Sequence, residues 1–372
     1  MPPKIKPKFS LTLAIDSGAH GLWGKHLAAK TSEGVKMTGK AAWEGADYSF
    51  LSTKAFAQYF EDYIDFVKAR GKHLEFYVAL DIINNPTESR RMYRAMLKAN
   101  TNPLPVYHYG EDESVLQEYL SHTDYVGYTG PHHIGQETGY VEHSDRIWKK
   151  YFLDSAGKPK IKVHGFAVTR PSYVTRWPWY SVDSTSAFTQ ARTGSCLYPR
   201  VNREGLDYTQ SPITICHTER RGEAAQHFER LPGLVREAIN AHLDKVGVTL
   251  EEVSTSYQAR DKVNIYFADQ QCKAINKQWE ERFGIKHWLH YYASGNASAG
   301  PATVVPTLKY LAERGQLTHT CYLGTFFTGQ RAPMEHVMQA LHGVGFTGCA
   351  RKKKAMPRVR SLDEAFQEEV NE

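Results

Sequence analysis

The sequence predicts an α/β fold, a TIM-like (β/α)8 barrel with insertions and a partly helical C-terminal region. Short apolar runs that end on polar or acidic residues alternate with segments of helical periodicity through the first half of the chain. Three of these runs end at or near an aspartate: LTLAID at Asp16, FYVALD at Asp81 and WYSVDS at Asp183. Parallel barrels carry their chemistry at the carboxyl ends of the strands, so three carboxylates there indicate an enzyme.

The remaining elements follow the same alternation. Further strands are predicted at PVYHYGED (around 108–112), YVGYTG (ending at 130) and VHGFAVT (ending at 169). Residues 263–267 are predicted to be a strand or a buried run, and 287–292 and 319–327 are candidates for late strands. Helices are predicted over 54–68, from Pro86 to about 98, near 114–120 and over 234–243, with a further helix start at 249–252. Residues 131–140 are rich in Gly, His and polar residues, which predicts a flexible loop or lid over the site.

The expected domain organisation is a single barrel with extensions. Residues 1–10 form a basic N-terminal arm, 11–330 the barrel, and 331–372 a C-terminal helix with a charged tail. Within the barrel, about 200–285 is a possible helical insertion or subdomain.

Composition narrows the class of protein. The 372 residues carry a formal net charge of +6, a mild excess that is compatible with a nucleic-acid or phosphate partner. No apolar stretch is long enough to predict a membrane span, and the first residues lack the apolar region of a secretory signal. Five dispersed cysteines without a CxxC pair indicate reduced thiols in a cytoplasm, and argue against a Cys-rich zinc site.

Asp183 is the candidate nucleophile. It follows an aromatic-rich run and precedes Ser-Thr-Ser, and a carboxylate there can stabilise or trap the oxocarbenium-like centre of glycosyl transfer. A second carboxyl group must then protonate the leaving group, and Asp16 is the candidate. The alternative is that each aspartate caps the helix that follows it. Three aspartates at strand ends favour the functional interpretation.

Three motifs carry a family resemblance. Asp16-Ser17-Gly18-Ala19, Val163-His164-Gly165-Phe166 and Ser181-Val182-Asp183-Ser184-Thr185-Ser186 resemble motifs of the tRNA-guanine transglycosylase superfamily. They look most like its DNA-acting branch, the DpdA-type DNA guanine transglycosylases of phages and bacterial modification clusters. The similarity covers roughly residues 11–193, in the same order along the chain.

The resemblance implies a role for each matched position. Asp16 would be the general acid/base, Asp183 the nucleophile, and Asp81 the reader of the Watson–Crick edge of guanine. His108-Tyr109-Gly110 stands where the family has a base-contacting Gln-Gly pair, and Tyr128-Thr129-Gly130 where it has a Gly-rich base-binding loop, although neither the Gln nor the double Gly is retained. Ser17 and Gly165, inside the matched motifs, are further candidate base contacts.

The implied reaction is the exchange of guanine in DNA for a 7-deazaguanine such as preQ0, without a metal or redox cofactor. DNA and the 7-deazaguanine are the expected partners, with a homodimer or phage or host partner proteins as further possibilities and the host cytoplasm as location if the chain is phage-encoded. The chain departs from the tRNA-acting enzymes, since it has no CxCxxC…H zinc spacing and His20 replaces the aromatic residue usual after the first motif. We therefore expect no zinc site of that kind.

Four residues near the proposed nucleophile are candidates for nucleic-acid contact: Arg170, Arg176, Arg192 and Trp177. The alternative is that the arginines are structural and that Trp177 packs against Trp179. Three histidines, His132, His133 and His143, lack a carboxylate or Cys at ligand spacing, which disfavours a metal site. The rival functions are a glycoside hydrolase barrel, a tRNA-acting transglycosylase and a non-catalytic nucleic-acid-binding barrel.

Overall fold

The structure, a computed structural model, describes residues 11–19, 21–22, 48–82, 85–129, 137–202, 205–219, 226–294, 301–317 and 320–326. The described strands are β1 (Thr12–Asp16), β2 (Val106–Tyr107), β3 (Tyr125–Thr129), β4 (Lys162–Phe166), β5 (Ser181–Ser184), β6 (Ser195–Tyr198), β7 (Arg200–Asn202), β8 (Gly205–Asp207), β9 (Ile213–Cys216), β10 (His290–Ser294) and β11 (Cys321–Thr325). The described helices are α1 (Lys54–Arg70), α2 (Pro86–Lys98), α3 (Glu113–His122), α4 (Glu137–Ile147), α5 (Pro171–Val174), α6 (Ser186–Arg192), α7 (Gly233–Val246), α8 (Leu250–Thr255), α9 (Tyr257–Phe283) and α10 (Pro301–Glu313).

The fold is mixed α/β, as the sequence predicts. Seven strands lie in one sheet in the order β1-β11-β10-β5-β4-β3-β2. The registers of β10 with β11, of β10 with β5 and of β4 with β5 are parallel. Two small antiparallel sheets, β6 with β9 and β7 with β8, complete the described strands. Parallel strands need crossover connections, and helices supply them along much of the chain.

The chain divides into two compact units. The N-terminal unit comprises Leu13–Gly127 with residues 325–326. In it, parallel bridges join Ile15 to Tyr77 and Val78 to Leu104, so the run that ends at Asp81 lies between β1 and the start of β2. The strand predicted there is thus extended chain held by bridges on both sides.

Helix starts in the N-terminal unit follow the capping signals of the sequence. The Thr53 hydroxyl accepts from the N–H of Phe56 at the start of α1. Asn85 caps α2 in front of Pro86, whose fixed φ suits the first helical turn. The buried face of α1, which confirms the helix predicted over 54–68, carries Phe56, Tyr59, Phe60, Tyr63, Ile64 and Val67.

The C-terminal unit comprises Tyr128–Gly324 with residues 11–12. An aromatic cluster lies in its core. The rings of Trp148 and Trp179 are fully buried, and their centroids lie 5.0 Å apart in an edge-to-face arrangement. Such contacts add to area burial in fixing which helix faces meet the sheet.

Residues 186–283 of this unit add α6, both small sheets and α7 to α9 between β5 and β10. Buried polar side chains hold the 27-residue helix α9 in place. The side chain of Asn264 accepts from the N–H of Leu197 at 2.7 Å and donates to the carbonyl of Ala187 at 2.8 Å. Asn276 makes the same kind of double contact with the backbone of Leu289.

Residues 263–267, predicted to be a strand or a buried run, lie inside α9, so the buried run is confirmed and the strand is wrong. Four of the five are apolar and all are buried. A helix that is covered on several sides has no polar residues recurring every 3.6 positions, so its sequence cannot be distinguished from that of a buried strand.

The late strands predicted at 287–292 and 319–327 are confirmed by β10 and β11, and the helix start at 249–252 is confirmed by a complete capping box at Thr249 and Glu252. The proposed arm at 1–10 and tail at 331–372 lie outside the described residues, as do 131–136 of the predicted loop.

Candidate functional site

The carboxylate of Asp183 lies at the end of β5, and both of its described contacts involve one oxygen, Oδ1. Its Oδ1 accepts a hydrogen bond from the N–H of Ala167 at 3.1 Å. The same oxygen lies 3.5 Å from Nε2 of His164. The side chain is 11% exposed, so it is largely buried but open to a ligand. Within the described residues, no hydrogen bond or ion pair involves Oδ2.

His164 is oriented by its neighbours on β4 and β5. Its Nδ1 lies 2.6 Å from the hydroxyl of Ser181, a residue that pairs with it in the parallel register of the two strands. The ring is fully buried and meets Phe166 edge to face, with centroids 4.5 Å apart. Packing therefore fixes the rotamer that presents Nε2 to Asp183.

Ala167 adopts a backbone conformation that is unusual for a residue with a side chain. Its φ is +56°, in the left-handed region that favours glycine. This conformation turns the chain sharply after β4 and directs the N–H of Ala167 at the carboxylate of Asp183. Strained backbone that donates to a carboxylate is a feature of functional sites.

The helix-capping alternative does not describe Asp183. The N-cap of α6 is Thr185, which makes no side-chain capping bond, and the carboxylate of Asp183 reaches across to the β4 loop. The phenol of Tyr291 is buried near Asp183. Burial first, and then the charge of Asp183, raise the pKa of this phenol.

Asp16 closes the first strand of the N-terminal unit. Its Oδ1 lies 3.4 Å from the N–H of Gly18, the local contact that the capping alternative expects. Gly18 has φ +77°, and a Cβ there would lie 2.2 Å from the carbonyl oxygen of Phe326. The hydroxyl of Tyr59 donates to the carbonyl of Ser17 at 2.6 Å. Burial, and after it the charge of Asp16, raises the pKa of Tyr59.

Asp81 and His108, both predicted to contact the base, meet in the N-terminal unit. Nε2 of His108 lies 3.0 Å from Oδ2 of Asp81, and Nδ1 lies 2.8 Å from Oε1 of Glu111. The Ser89 hydroxyl donates to Oδ1 of Asp81 at 2.8 Å. Asp81 caps no helix, because Asn85 caps α2. We call Asp81, Ser89, His108 and Glu111 the imidazole cluster.

His108 is a cation in this setting. Burial by itself lowers the pKa of His108, but Asp81 and Glu111 outweigh that effect and raise the pKa to about 10. Only the protonated ring has two N–H groups, one for each carboxylate. The side chains are 15% exposed for His108, 19% for Asp81 and 6% for Glu111, so the ion pairs are poorly screened by solvent.

A tight turn presents this histidine. The N–H of Glu111 donates to the carbonyl of His108 at 3.2 Å, and Gly110, the third residue of the turn, has φ +88°. A positive φ at that position is what a type II turn needs, which explains the glycine. Tyr109 occupies the second position of the turn.

The other predicted base contacts have different surroundings. The ring of Tyr128 is fully buried and its hydroxyl lies 2.9 Å from that of Ser144, so it belongs to the core. Thr129, also buried, has an Oγ1 with no hydrogen-bond partner in the described structure, and the same holds for Oγ of Ser17. A Cβ at Gly165 would lie 2.9 Å from the ring of Trp179, so this glycine permits close packing. Gly130 lies outside the described residues.

The contacts of Trp177 and Arg176 match the packing alternative. Trp177 is 3% exposed and its Nε1 donates to Asp145 at 3.0 Å, so no base can stack on this ring as it is packed. Arg176 pairs with both oxygens of the same aspartate, which raises the pKa of Arg176. Sequence patterns do not show Asp145 as the common partner of the two side chains.

Arg192 is also engaged within the protein. Its Nη1 lies 2.8 and 2.9 Å from the two oxygens of Asp261, and its guanidinium lies 4.0 Å from the centroid of the Tyr257 ring. Arg170 is exposed, with its guanidinium 5.7 Å from the centroid of the Tyr173 ring. Of the four predicted nucleic-acid contacts, Arg170 and Arg176 are exposed, and Arg176 is paired with Asp145.

Sequence reasoning gave no role to three of the residues that organise these clusters: His164, Ser181 and Glu111. His164 and Ser181 stand inside the quoted motifs, and the alternation of β4 places His164 on the face opposite to Gly165. Glu111 follows His108 by three residues across a turn, which is the spacing that signals it. Ser89 is set by the crossing of α2 and carries no sequence signal.

Comparisons with known proteins were made at three levels. A scan against protein-family models and searches of curated proteins and of solved structures found no match to this chain. Among the described residues, no group of three or more His, Cys, Asp or Glu side chains is placed to hold a metal ion. No described helix combines the length and the apolar character that crossing a bilayer requires.

Proposed function

We propose that the protein is a DNA guanine transglycosylase that exchanges guanine in DNA for a 7-deazaguanine base such as preQ0. The covalent intermediate joins Asp183 to C1′ of the deoxyribose. The observation that carries the proposal is the one-sided tethering of Asp183. Both contacts of its carboxylate converge on Oδ1, and no described hydrogen bond or ion pair involves Oδ2.

This arrangement suits a nucleophile better than a structural carboxylate. A buried carboxylate that only stabilises the fold usually has both oxygens satisfied. Here the backbone N–H of Ala167 fixes the group, and the imidazole of His164 lies against the same oxygen. Oδ2, which no described residue engages, would attack the anomeric carbon, whose oxocarbenium-like transition state an adjacent anion stabilises.

The reaction is a double displacement. A guanosine leaves the stack so that its C1′ can be reached. Oδ2 of Asp183 forms a bond to C1′ as the C1′–N9 bond breaks, and Asp16, the acid that the family resemblance assigns, gives a proton to the departing guanine. The incoming 7-deazaguanine returns its N9 proton to Asp16 and forms the new C1′–N9 bond as the ester to Asp183 breaks. One N-glycosidic bond replaces another, so no redox step is involved.

Base recognition is assigned to Asp81, again by the resemblance. Ser89 contacts one of its oxygens and His108 the other, so the carboxylate is held in a fixed orientation. An ionised carboxylate only accepts hydrogen bonds, which supports a role in accepting from N1–H and the exocyclic amine of guanine. The buried hydroxyls of Ser17 and Thr129, which lack partners in the described structure, support polar ligands at these strand ends.

The (β/α)8 barrel is likewise inferred. The bridges from Ile15 to Tyr77 and from Val78 to Leu104 add an eighth extended segment between β1 and β2. With the seven strands of the sheet, this segment makes the strand count of the barrel.

Base exchange tests the proposal. Purified protein is incubated with labelled preQ0 and either DNA or tRNA, and the nucleosides are analysed by mass spectrometry. We expect a deazaguanine deoxynucleoside in DNA, abolished by Asp183→Asn and by Asp16→Asn. Asp124→Asn is the matched control, because Asp124 is an exposed aspartate beside β3 outside these clusters.

The outcomes separate the rival functions. Incorporation into tRNA alone would change the substrate and keep the chemistry. Release of guanine or of a sugar without exchange would indicate a hydrolase. Full exchange by Asp183→Asn would remove the proposed nucleophile, and DNA binding without exchange or adduct would leave a non-catalytic nucleic-acid-binding protein.

A further inference from the structure

The imidazole cluster contains a charged group that the proposed reaction does not use. His108 lies between two carboxylates, with one ring nitrogen 3.0 Å from Asp81 and the other 2.8 Å from Glu111. Glu111 makes two hydrogen bonds with His108, because its Oε2 also accepts from the backbone N–H of His108 at 3.1 Å. The ring is thereby fixed in position as well as in charge.

We propose that His108 is a positioning residue that keeps Asp81 an ionised, acceptor-only reader of purines. This role deepens the proposed function and rests on it. The ligands it selects are purines that present two adjacent N–H donors, N1–H and a 2-amino group, as guanine and the 7-deazaguanines do. Hypoxanthine lacks the amino group, and adenine turns an acceptor towards the carboxylate.

The hydrogen bonds determine the direction of each proton. Both nitrogens of His108 face carboxylate oxygens, so both must donate. Asp81 then accepts on Oδ2 from His108, and its Oδ1 lies 2.8 Å from the hydroxyl of Ser89. A protonated Asp81 would lose an acceptor position and the ion pair with His108, so the cluster disfavours that form. The carboxylate presents acceptors to a ligand and no donor.

Two other uses of this cluster fail on the same geometry. A catalytic triad needs an imidazole nitrogen that can take a proton from a nucleophile. The only hydroxyl in the cluster, that of Ser89, donates to Asp81, and neither ring nitrogen of His108 has a lone pair to offer. Metal binding by His108 requires a neutral ring, which two carboxylate partners oppose.

The charged groups around the ring all act in one direction. Asp81 and Glu111 raise the pKa of His108 against the opposing effect of burial. On α3, burial first and then the charges of Glu111 and Asp81 raise the pKa of Tyr119, which keeps this phenol neutral. The hydroxyl of Tyr107 donates to the carbonyl of Glu111 at 2.8 Å and adds no charge.

Nuclear magnetic resonance tests the charge state without reference to catalysis. In protein with 15N-labelled histidine at pH 8.5, exposed imidazoles are neutral because their ordinary pKa is about 6.5. We expect the two nitrogens of His108 to remain protonated, and the ring to become neutral in Asp81→Asn. A His108 ring that titrates with the exposed histidines would overturn the proposal.

Binding and kinetics test the selectivity. We expect His108→Asn to weaken binding of free guanine, measured by calorimetry, by about 10- to 100-fold, the range for one charge-assisted hydrogen bond. In base exchange, KM for preQ0 should rise similarly while kcat changes by less than about threefold, and the preference for guanine over hypoxanthine should fall. His73→Asn, in the same unit but outside the cluster, is the control.

The results distinguish this proposal from the proposed function. Guanine binding that His108→Asn weakens, in a protein that exchanges no base, would refute the transglycosylase and support the positioning role. Base exchange with unchanged KM and unchanged selectivity in His108→Asn would support the transglycosylase and overturn the positioning role. A wild-type protein that neither binds guanine nor exchanges it would overturn both.

Discussion

Replacing Arg192 by glutamine separates a structural arginine from one that binds nucleic acid. Asp261 is fully buried, and Nη1 of Arg192 lies 2.8 and 2.9 Å from its two oxygens. Burial raises the pKa of Asp261 to about 6, against the opposing effect of Arg192. Removal of the guanidinium leaves a buried carboxylate without its counter-ion, which typically costs about 3–5 kcal/mol of unfolding free energy.

The cost must depend on pH, and its sign follows from the pKa of Asp261. An acid whose folded pKa lies above its unfolded value loses stability as pH rises between the two, from 3.8 to about 6 here. Without Arg192 the folded pKa moves still higher, so the loss continues to higher pH. At pH 5 Asp261 is mostly protonated in the native state with or without the arginine. The destabilisation should therefore be small at pH 5, grow by about 1.4 kcal/mol for each pH unit above 6, and reach about 3 kcal/mol only above pH 8.

Urea unfolding of wild type, Arg192→Gln, Asp261→Asn and the double variant at pH 5 and pH 7.5 measures this directly. We expect a coupling energy of about 2 kcal/mol at pH 7.5 and recovery of much of the loss in the double variant. DNA affinity of the folded protein should not change. An Arg192→Gln protein as stable as wild type at pH 7.5, but with weaker and less salt-sensitive DNA binding, would refute the structural assignment.

Three further results are expected. Burial lowers the pKa of His217 and of His242 to about 4, so below pH 6.5 the unfolded chain takes up protons that the native state does not. The free energy of unfolding, measured by denaturant titration, should therefore fall by up to about 3 kcal/mol for each residue between pH 6.5 and 4. Stability that does not change over this pH range would show that the two rings are solvated. Gly18→Ala should lower the melting temperature sharply, because the new Cβ would lie 2.2 Å from the carbonyl oxygen of Phe326 and the backbone there is left-handed. An unchanged melting temperature would contradict this turn geometry. Ala167→Gly should leave base exchange intact and the melting temperature equal or higher. Glycine adopts φ +56° without strain and keeps the hydrogen bond from its N–H to Asp183. A loss of stability would show that the conformation of Ala167 is unstrained.

The catalytic candidates were visible in the sequence because strand ends are marked by abrupt changes in polarity. Asp81 and Asp183 each follow an apolar run, and the structure places both at strand ends in contacts that are not helix caps. What surrounds them was not visible. The contact of His164 with Asp183 needs two parallel strands in register, and that register is set by the sheet.

Tertiary packing decides two features that the local sequence does not show. The run at 263–267 belongs to α9, which is buried on several sides and so shows no helical period in its sequence. Trp177 stands beside arginines in the sequence and was grouped with them as a nucleic-acid contact. Its burial against Trp148 and its bond to Asp145 depend on how α4 packs, which neighbouring residues cannot reveal.

The sequence by itself determined the α/β class, most helix starts and the positions of the three aspartates. These properties depend on local chemistry: capping side chains, proline and glycine dihedrals, and the alternation of apolar and polar residues. Only the tertiary structure decided the charge of His108, the one-sided tether of Asp183 and the pairing of Arg192 with Asp261. Each of these depends on groups 3 to 69 residues apart in the chain that folding brings within about 3.5 Å of each other.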